Sequence, residues 1–450
     1  MRSHRRTATG SSLTLRLALS QQASGLLDLP GYPPTRRIGG IGKPEAYPTT
    51  AWFRRDELHE SLTSTSNQPK LGTRGARPSE LSIWRSDRGL TEQARVFYAC
   101  FGCGCVQIPA VEKKPPVIAE VLPTHTPELF RVAVQRAAEF LRAGEVVALP
   151  TETVYGLAAS ALDAQAVERI FQVKGRPAHN PIIVHVASIE MAKHCVQNWP
   201  ELAGDLAKAF WPGPLTLVLP RAKEIPAIIT GGGPTVGVRW PSHPFIQAVI
   251  RECDFPLAAP SANPSNRVSP TNAEHVRKHL GDKIRLIVDG GQSQIGIEST
   301  VLDISGWPPR LLRPGMIHEE ALLAVTSELA IGASKNSEVL KSPGLLRTHY
   351  SPKAPLVVWS WKDEAELKVR SAHRGVPISK VHVIAHTHIP SGAEFGNVSV
   401  IPHDPAAFAR AIYAELHQCD EARAELIIVE ALPDAPEWRA IADRLQRAAA

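Results

Sequence analysis

Two cations stand close together in the stretch FQVKGRPAHNPIIVHV, residues 171–186. Lys174 and Arg176 enclose a glycine, and Pro177 follows directly, which is typical of a tight turn. The apolar run after the turn predicts a short buried strand that carries His185. Two cations fixed at a turn suit an anionic, oxygen-rich ligand such as a polyphosphate or a carboxylate. Taken alone, the pair would more often be a solvated basic turn.

Further polar residues fall at the ends of other predicted strands. Polar residues at the strand ends of an α/β fold gather in one crevice, so we expect these side chains to lie near the two cations. The set is Thr151, Glu152, Thr153, Tyr155, Asn180, Thr235, Arg239, Ser261, Asn263, Ser269, Thr271, Ser299, Thr300 and Arg313. Its hydroxyls, amides and cations are groups that bind phosphate and carboxylate oxygens.

The sequence lacks the residue patterns of several common hydrolases. It has no GxSxG nucleophile elbow and no HExxH zinc motif, and the strand-end set has no convergent pair of carboxylates such as glycosidases use. A protein can catalyse by positioning and charge stabilisation alone when the nucleophile and the electrophile both come from substrates. Phosphoryl chemistry typically works in this way, so the set favours such a reaction.

Each of these residues also has an ordinary structural explanation. A histidine inside an apolar strand, as His185 is, is more often a core or interface residue than a ligand. Arg239 could be a structural ion-pair partner, and Glu152 could cap a helix or turn. Ser261 and Asn263 could form a turn through local hydrogen bonds. The joint placement of the set at consecutive strand ends is therefore the stronger indication.

The elements that must position these residues alternate along the chain. Short apolar strands, each followed by Pro, Gly or polar residues, occur in VVAL, PIIVHV, PLTLVLP, TVGVRWP, PLAAPSAN, RLIVDGG, STVLDI and RLLRPG. Helices are predicted between them. Their ranges are 163–173, 188–210, 243–253 and 271–280. This alternation predicts an α/β domain on a twisted, mixed sheet over residues 117–325.

Ordered structure is predicted to begin near Thr126. That residue can cap a helix whose first position is Pro127, and apolar residues then recur at helical spacing. Gly144 is placed to end the helix in a left-handed conformation.

The last hundred residues repeat the strand–helix alternation. The strands PLVVWSW, KVHVIAH, VSVIP and ELIIVEA are joined by helices that include 405–417 and 436–449. This pattern predicts a small Rossmann-like α/β domain over 355–450. No GxGxxG loop is present, so dinucleotide binding is not indicated. The Pro-, Gly- and Ser-containing residues 326–354 read as a linker between the two domains.

The N-terminal segment, residues 1–116, differs from the rest in composition and charge. It shows no sustained period and holds 17 Lys plus Arg against 9 Asp plus Glu, whereas the remainder holds 33 against 35. We therefore predict an irregular extension, either a disordered leader or a start codon assigned too far upstream. The basic excess belongs to that segment, so the overall pI indicates nothing about nucleic-acid binding by the remainder.

Cysteine usage and hydropathy bear on the compartment. Six cysteines in 450 residues do not indicate a disulfide framework. Cys100, Cys103 and Cys105 form C-x-x-C-x-C, but a fourth ligand at usable spacing is missing, so reduced thiols are favoured over a zinc site. No apolar run is long enough for a membrane span. We expect a cytoplasmic protein, and an organelle-targeting leader in residues 1–44 is the less favoured alternative.

Seven motifs of this chain resemble the YrdC family in order and spacing. They are PTETVYGL (150–157), KGRPAHNPIIVHV (174–186), WPGPLT (211–216), VGVRWPSHP (236–244), APSANPSNRVSPT (259–271), DGGQSQIGIESTVLD (289–303) and LRPG (312–315). The linker stretch SPGLLRTHYSPKAP (342–355) and the ending WRAIADRLQRAA resemble the longer, two-domain members. The resemblance covers about residues 117–450.

The resemblance implies an L-threonylcarbamoyladenylate synthase. Such an enzyme combines L-threonine, bicarbonate or CO2, and ATP, and it releases pyrophosphate. Other proteins then pass the threonylcarbamoyl group to the adenosine beside the anticodon of ANN-decoding tRNAs. The family fold is a twisted α/β sheet with a positively lined concave cavity. We expect Mg2+ to be carried on the ATP phosphates, since the sequence shows no dedicated acidic metal cage.

The resemblance also assigns roles to single residues. The catalytic tetrad would be Lys174, Arg176, Ser261 and Asn263. The ATP-binding residues would be Arg176, Asn180, Thr235, Ser261, Ser269 and Arg313, with His349 and Tyr350 of the linker closing over the nucleotide. The L-threonine-binding residues would be Thr153, His185, Arg239, Ala259 through its backbone, and Ser299.

One residue departs from the family pattern. Asn266 stands where many members have Gly, and we expect the loop shape to survive because Asn tolerates left-handed backbone conformations.

Two other functions are compatible with a cationic concave face. A non-catalytic RNA-binding protein is the main alternative, although residues 117–450 are slightly acidic and few aromatic residues surround the basic turn. The YrdC-like fold also occurs in hydrogenase-maturation proteins that transfer carbamoyl groups. Those proteins carry zinc-finger elements, and the paired CxxC motifs of such elements are missing from this sequence.

Overall fold

A large sheet organises most of the described chain. The structure is a computed structural model, and it describes residues 97–101, 104–108, 118–332, 341–344, 350–391 and 393–450, the first two ranges as backbone. Within these ranges the large sheet has eleven strands, which are β3 (Glu120–Pro123), β4 (Val147–Leu149), β5 (Gly156–Ser160), β6 (Ile183–His185), β7 (Leu215–Pro220), β8 (Thr235–Arg239), β9 (Leu257–Ala258), β10 (Leu286–Asp289), β11 (Thr300–Asp303), β12 (Arg310–Arg313) and β13 (Ala330–Ile331).

The predicted mixed sheet is confirmed. The strand order is β13-β12-β11-β7-β8-β6-β9-β5-β4-β10-β3. The sheet contains both parallel pairs, such as β6 with β8, and antiparallel pairs, such as β7 with β8. The register of β6 against β8 places His185 directly opposite Arg239. Side chains of opposed residues on neighbouring strands lie on one face of a sheet, so these two candidates become neighbours.

Seven α-helices accompany this sheet among the described residues. They are α1 (Pro127–Arg142), α2 (Ala164–Lys174), α3 (Ile189–His194), α4 (Glu201–Phe210), α5 (Pro244–Cys253), α6 (Ala273–Leu280) and α7 (Glu319–Thr326). The predicted signals of α1 are confirmed, since Thr126 Oγ1 accepts a hydrogen bond from the Leu129 N–H at 3.2 Å and Gly144 has a φ of 74°.

The prediction of one helix over 188–210 is wrong. Two helices, α3 and α4, occupy this range, and Pro200 caps the second. Between them the backbone at Val196 forms a β-bridge with Arg221. A proline lacks the N–H that a continuous helix needs at that position, so the chain leaves the helix and begins a new one.

A smaller, parallel sheet forms the C-terminal domain. Its strands are β14 (Leu356–Trp359), β15 (Val381–Ala385), β16 (Asn397–Val400) and β17 (Leu426–Glu430), in the order β14-β17-β15-β16. All three neighbouring pairs are parallel. The helices of this domain are α8 (Glu364–Ala372), α9 (Pro405–Glu421) and α10 (Arg439–Ala448). The predicted Rossmann-like α/β domain is thus confirmed.

One hydrophobic cluster joins the two sheet domains. It contains Val154 and Ile297 of the large-sheet domain together with Phe408 and Ile412 of the C-terminal domain. The described residues between 118 and 450 accordingly belong to a single compact unit.

The described part of the preceding unit is a hairpin. Strands β1 (Phe97–Phe101) and β2 (Gly104–Ile108) pair antiparallel. The predictions about residues 1–96 and about the thiols of Cys100, Cys103 and Cys105 lie outside the residues and side chains that the structure describes. In the described part of the chain, no helix combines the length and the apolar character needed to cross a membrane.

Candidate active site

A cleft on the large-sheet domain brings together nine of the residues to which the family resemblance assigns roles. It is lined by strands β6, β8 and β12, by the loops that follow β4 and β9, and by the segment that precedes β11. Residues of the 341–350 stretch line it as well. Those nine residues are Thr153, Arg176, His185, Arg239, Ala259, Ser261, Ser299, Arg313 and Tyr350.

The other residues with assigned roles lie behind or beside the lining. Lys174, Asn180, Asn263 and Ser269 are buried and do not line the cleft. Thr235 is half-buried at the start of β8 and is also outside the lining. His349 lies outside the described residues.

Lys174 ends α2 inside the protein and is 3% exposed. Its Nζ donates a hydrogen bond to the Ser261 carbonyl oxygen at 2.5 Å and another to the Asn263 carbonyl oxygen. The Ser265 N–H in turn donates to the Lys174 carbonyl oxygen at 2.8 Å. Burial, and secondarily Arg176, holds the pKa of Lys174 well below its usual value. Lys174 therefore fastens the loop that carries Ser261 to the end of α2.

Arg176 lines the cleft because helix α2 ends two residues before it, at Lys174. Gly175 has a φ of 60°, the left-handed conformation that ends a helix, and it redirects the chain. Arg176 Nε donates to the Asn180 carbonyl oxygen at 3.1 Å, and Nη2 donates to the Pro181 carbonyl oxygen at 2.7 Å. Burial lowers the pKa of Arg176 to about 10, so its guanidinium stays charged at neutral pH.

Arg313 supplies a second guanidinium near Arg176. Its Nε and Nη2 donate to the carbonyl oxygen and the hydroxyl of Ser299, both at 3.1 Å. Its Nη1 donates to the Pro343 carbonyl oxygen at 3.2 Å, which ties the 341–344 stretch to β12. The charge of Arg313 disfavours that of Arg176. An anion placed between them would relieve that repulsion.

Arg239 lines the cleft and contacts Glu152 and Thr153. Its Nη2 lies 2.7 Å from Glu152 Oε1, and its Nη1 donates to Thr153 Oγ1 at 3.0 Å. The Ser242 N–H donates to the same Glu152 oxygen at 3.0 Å. Burial raises the pKa of Glu152, but Arg239 and the Ser242 N–H outweigh it and hold the pKa below its usual value. Glu152 is therefore an ionised partner of Arg239 and is not poised as a general base.

His185 contributes a neutral imidazole beside Arg239. Burial, reinforced by Arg239, lowers the pKa of His185 to about 3. Its Nδ1 has no hydrogen-bond partner among the described residues. Both side-chain polar atoms of buried Asn180 are likewise without a partner there. Buried polar atoms are normally hydrogen-bonded, so these atoms are suited to a ligand.

Glu298 lines the cleft and was not among the sequence candidates. Its Oε1 accepts a hydrogen bond from Ser269 Oγ at 2.6 Å, and its Oε2 accepts one from Tyr413 Oη at 3.0 Å. Arg444 Nε of the C-terminal domain donates to Oε2 at 2.7 Å. Glu298 directly precedes Ser299, which was the signal available in the sequence. The arginine that neutralises it is 146 residues away and could not be paired with it from spacing.

The loop around Asn266 keeps its expected shape. Asn266 has a φ of 65°, the left-handed conformation predicted for it. Its carbonyl oxygen accepts a hydrogen bond from the Ser351 N–H at 2.9 Å. This residue therefore also joins the loop to the chain that follows Tyr350.

Fold and site together define a class of protein. It is an α/β protein whose cleft is lined by the guanidinium groups of Arg176, Arg239 and Arg313, together with a neutral histidine and hydroxyls, a set suited to anions. Two family models match the chain in succession. The first model represents the Sua5, YciO and YrdC proteins, is described as "Telomere recombination", and matches residues 139–315. The second is described as "Threonylcarbamoyl-AMP synthase, C-terminal domain" and matches residues 317–450.

Similar proteins align with most of the chain. The threonylcarbamoyl-AMP synthase of Pyrococcus abyssi is 42% identical over 319 residues, which cover 69% of this chain and 92% of that protein. The synthase of Bacillus subtilis is 40% identical over 343 residues, which cover 74% and 96%. A crystal structure of Pyrococcus abyssi Sua5 complexed with L-threonine has a TM-score of 0.67 and 39% identity, covering 74% of this chain and 98% of that one. This chain belongs to the Sua5/YrdC family.

Proposed function

We propose that this protein makes threonylcarbamoyl-AMP from L-threonine, bicarbonate or CO2, and ATP, with release of pyrophosphate. The names of its relatives support this reaction. The observation that carries the proposal is that three buried arginines, a neutral histidine and several hydroxyls line one cleft. Arg176 and Arg313 suit the phosphates of a nucleotide, while Arg239, His185 and nearby hydroxyls suit a small amino acid. A carbamate formed on the amino acid would then lie between these two groups of residues.

The proposed threonine site consists of Thr153, His185, Arg239, Ala259 and Ser299. Arg239 would bind the carboxylate, and the hydroxyls would bind the amino-acid side chain and amine. The amine must be uncharged to attack CO2. The environment favours this form, because the pKa of His185 is lowered to about 3 and the Glu152 carboxylate is paired with Arg239. Neither group would hold the amine as an ammonium ion.

The proposed nucleotide site consists of Arg176, Asn180, Thr235, Ser261, Ser269, Arg313, His349 and Tyr350. Arg176 and Arg313 are 8% and 3% exposed, so charge interactions with phosphates would be weakly screened by water. Of the proposed catalytic tetrad, Arg176 and Ser261 line the cleft. Lys174 and Asn263 would act indirectly, by holding the loop that carries Ser261.

The proposed reaction needs no protein nucleophile. The threonine amine adds to CO2 and loses a proton, and the carbamate oxygen then attacks the α-phosphorus of ATP. The bond to the β-phosphate breaks and pyrophosphate leaves with the electron pair. The guanidinium groups would stabilise the charge that develops on the phosphates. Mg2+ would enter as part of MgATP, held by phosphates and water.

The domain division and the cellular setting belong to the same proposal. Residues 117–325 would carry out the reaction, 326–354 would link, and 355–450 would form the second domain. We place the reaction in the cytoplasm, since the cysteines described with side chains, Cys195, Cys253 and Cys419, are free thiols. Other proteins would then transfer the threonylcarbamoyl group to tRNA.

The RNA-binding alternative is not favoured. Lys174, Arg176, Arg239 and Arg313 are each less than a tenth exposed. Gripping an RNA backbone requires a solvent-exposed basic groove that tracks the phosphates. These four cations are instead buried in the protein, where a small ligand could reach the three arginines but a long RNA backbone could not.

Pyrophosphate release by the purified protein tests the proposed function. The protein is incubated with MgATP and bicarbonate, with L-threonine, with L-serine as a matched amino acid, or with neither. We expect release to depend on L-threonine and an adenylate of the mass of threonylcarbamoyl-AMP to appear with it. Release that is equal in all three mixtures would contradict the proposal.

A further inference from the structure

Glu298 poses an electrostatic problem for the proposed nucleotide site. Its carboxylate lines the same cleft as Arg313, and the two residues interact directly through their charges. A carboxylate that pairs with Arg313 competes with phosphate oxygens for the same guanidinium, and it repels the phosphates as well. A site for a polyphosphate therefore needs the charge of Glu298 to be bound elsewhere.

Arg444 of helix α10 meets this need. It is 1% exposed, and its Nε donates to Glu298 Oε2 at 2.7 Å. Both oxygens of the Glu298 carboxylate accept further hydrogen bonds, Oε1 from Ser269 and Oε2 from Tyr413. Burial raises the pKa of Glu298, but Arg444, followed by Arg313, holds it below its usual value, so the pair is ionic. Arg444 is the larger of these two influences, which leaves Arg313 directed at Ser299 and the cleft.

Arg444 also contacts the backbone beside two residues that line the cleft. Its Nη2 donates to the carbonyl oxygen of Pro314 at 3.0 Å, and Pro314 directly follows Arg313. The same nitrogen lies 3.4 Å from the carbonyl oxygen of Glu298, which directly precedes Ser299. The guanidinium carbon is 5.3 Å from the centre of the Tyr350 ring. One side chain thus touches the chain neighbours of Arg313 and Ser299, and it touches Tyr350 itself.

We propose that Arg444 is a positioning residue of the nucleotide site, through which the C-terminal domain controls ATP affinity by neutralising Glu298. The inference rests on the proposed function, since ATP is the anion concerned. When the C-terminal domain is docked, the charge of Glu298 is bound and Arg313 is available to phosphates. When Arg444 withdraws, the charge of Glu298 repels the phosphates and competes with them for Arg313. By linkage, ATP binding and docking of the C-terminal domain favour each other by the same factor.

Equilibrium binding of ATP to the full-length protein tests this inference. Arg444→Met removes the charge and keeps much of the volume, and we expect the Kd for ATP to rise by about ten- to a hundredfold. Combining it with Glu298→Gln removes the opposing charge, so most of the affinity should return. Arg444→Lys keeps the charge and should lose less affinity than Arg444→Met. The Kd for L-threonine should change much less than that for ATP.

Arg439→Met is the matched control. Arg439 lies on the same helix and pairs across to Glu319 of the large-sheet domain at 2.8 Å, but it is half exposed and does not line the cleft. We expect its Kd for ATP to match wild type. An equal loss in Arg439→Met and Arg444→Met would overturn the inference, because docking alone would then explain both.

Two further outcomes separate charge from packing. Failure of the Arg444→Met/Glu298→Gln protein to regain affinity would overturn the inference in favour of a packing role. Should Arg444→Met not fold, Glu298→Gln alone decides, since its amide oxygen can still accept from Ser269 and its ATP affinity should equal or exceed wild type. Weaker ATP binding by that variant would overturn the inference.

Wild-type protein that binds no ATP would contradict the proposed function itself. ATP binding that is present in wild type and unchanged in Arg444→Met would contradict only the inference.

Discussion

Lys174 and Arg176 stand two residues apart yet have different surroundings. Lys174 is the last residue of α2 and points its ammonium at the Ser261 and Asn263 carbonyl oxygens. Arg176 follows the left-handed Gly175 and lines the cleft. The turn between them separates a cation that holds the protein together from one that is available to a ligand. Loss of either side chain should therefore affect different properties.

Replacing Lys174 by Met should lower both stability and activity. The change leaves two buried carbonyl oxygens without their donor, which costs about 1–3 kcal/mol in unfolding free energy. The loop that carries Ser261 would shift, and kcat/KM for pyrophosphate release should fall at least about tenfold. Urea denaturation and the pyrophosphate assay measure the two effects.

Lys208→Met is the matched control for this substitution. Lys208 also lies in the last turn of a helix, α4, but its side chain is exposed. Its removal should change the unfolding free energy by less than about 0.5 kcal/mol. A Lys174→Met protein with wild-type stability and near-normal turnover would refute the positioning role of Lys174.

The cationic and hydroxyl residues of the site could be predicted from the sequence because they stand at strand ends. Arg239 and His185, for example, end β8 and β6 and become neighbours once those strands pair. Glu298 and Arg444 could not be paired, because only the packing of α10 against the large-sheet domain brings them together. Spacing along the chain carries no information about such a contact.

Among the elements, apolar runs predicted strands well and small residues did not. VVAL and RLIVDGG appear as β4 and β10, whereas β5, with the sequence GLAAS, was not predicted. Gly and Ala have low strand propensity, and β5 is a strand because it is buried between β4 and β9. The tertiary position of the segment overrides its local preference.

A stack of histidines joins helices α6 and α9. The rings of His275 and His417 lie 3.9 Å apart at 27°, and His279 lies 5.1 Å from His417. His417 Nε2 donates to the Ser269 carbonyl oxygen at 3.0 Å. Burial lowers the pKa of His275 to about 4 and that of His417 to about 3. The charged groups that act on these rings are Glu274, Lys278, Glu421, Asp420, Lys353 and Arg267.

This stack should make stability depend on pH. A free histidine titrates near pH 6.5, so the unfolded chain binds protons below that pH while the folded stack does not until about pH 3–4. Stability is therefore fully present above about pH 6.5 and falls as the pH drops toward 4, by about 1.4 kcal/mol per pH unit for each proton. His417→Gln keeps a donor for the Ser269 carbonyl oxygen and should reduce that slope by one proton.

Urea denaturation between pH 7 and pH 4 measures the slope. His373→Gln serves as the control, since His373 ends α8 and is exposed. It should leave the slope as in wild type. An unchanged slope in His417→Gln would rule out the stack as its source.

For the whole molecule, docking of the C-terminal domain depends on close backbone approach as well as on Arg444. Ile295 and Gly296 donate their N–H groups to the carbonyl oxygens of Glu152 and Thr153, at 2.8 and 3.0 Å. Arg410 Nε of helix α9 donates to the Gln294 carbonyl oxygen at 2.7 Å. The segment 294–298 therefore lies between the cleft and helix α9. A change at this segment should reach both the docked domain and the proposed nucleotide site.

Replacing Gly296 by Ala should separate the cost of docking from the cost of backbone strain. Gly296 has a φ of 86°, and an added Cβ would collide with the backbone of Ala409 and Arg410 in α9. Gly232 has nearly the same φ, 84°, but its added Cβ meets nothing within 4 Å. Gly232→Ala should thus show only the left-handed strain, about 1–2 kcal/mol of unfolding free energy. Gly296→Ala must also push α9 away, and we expect it to lose about 1–3 kcal/mol more.

Gly296→Ala should also weaken ATP binding, because docking of the C-terminal domain is what brings Arg444 to Glu298. Gly232→Ala should leave ATP binding unchanged. Thermal unfolding and ATP titration of the two variants measure these differences, and equal losses in both would show that close approach of α9 to this segment contributes nothing to docking.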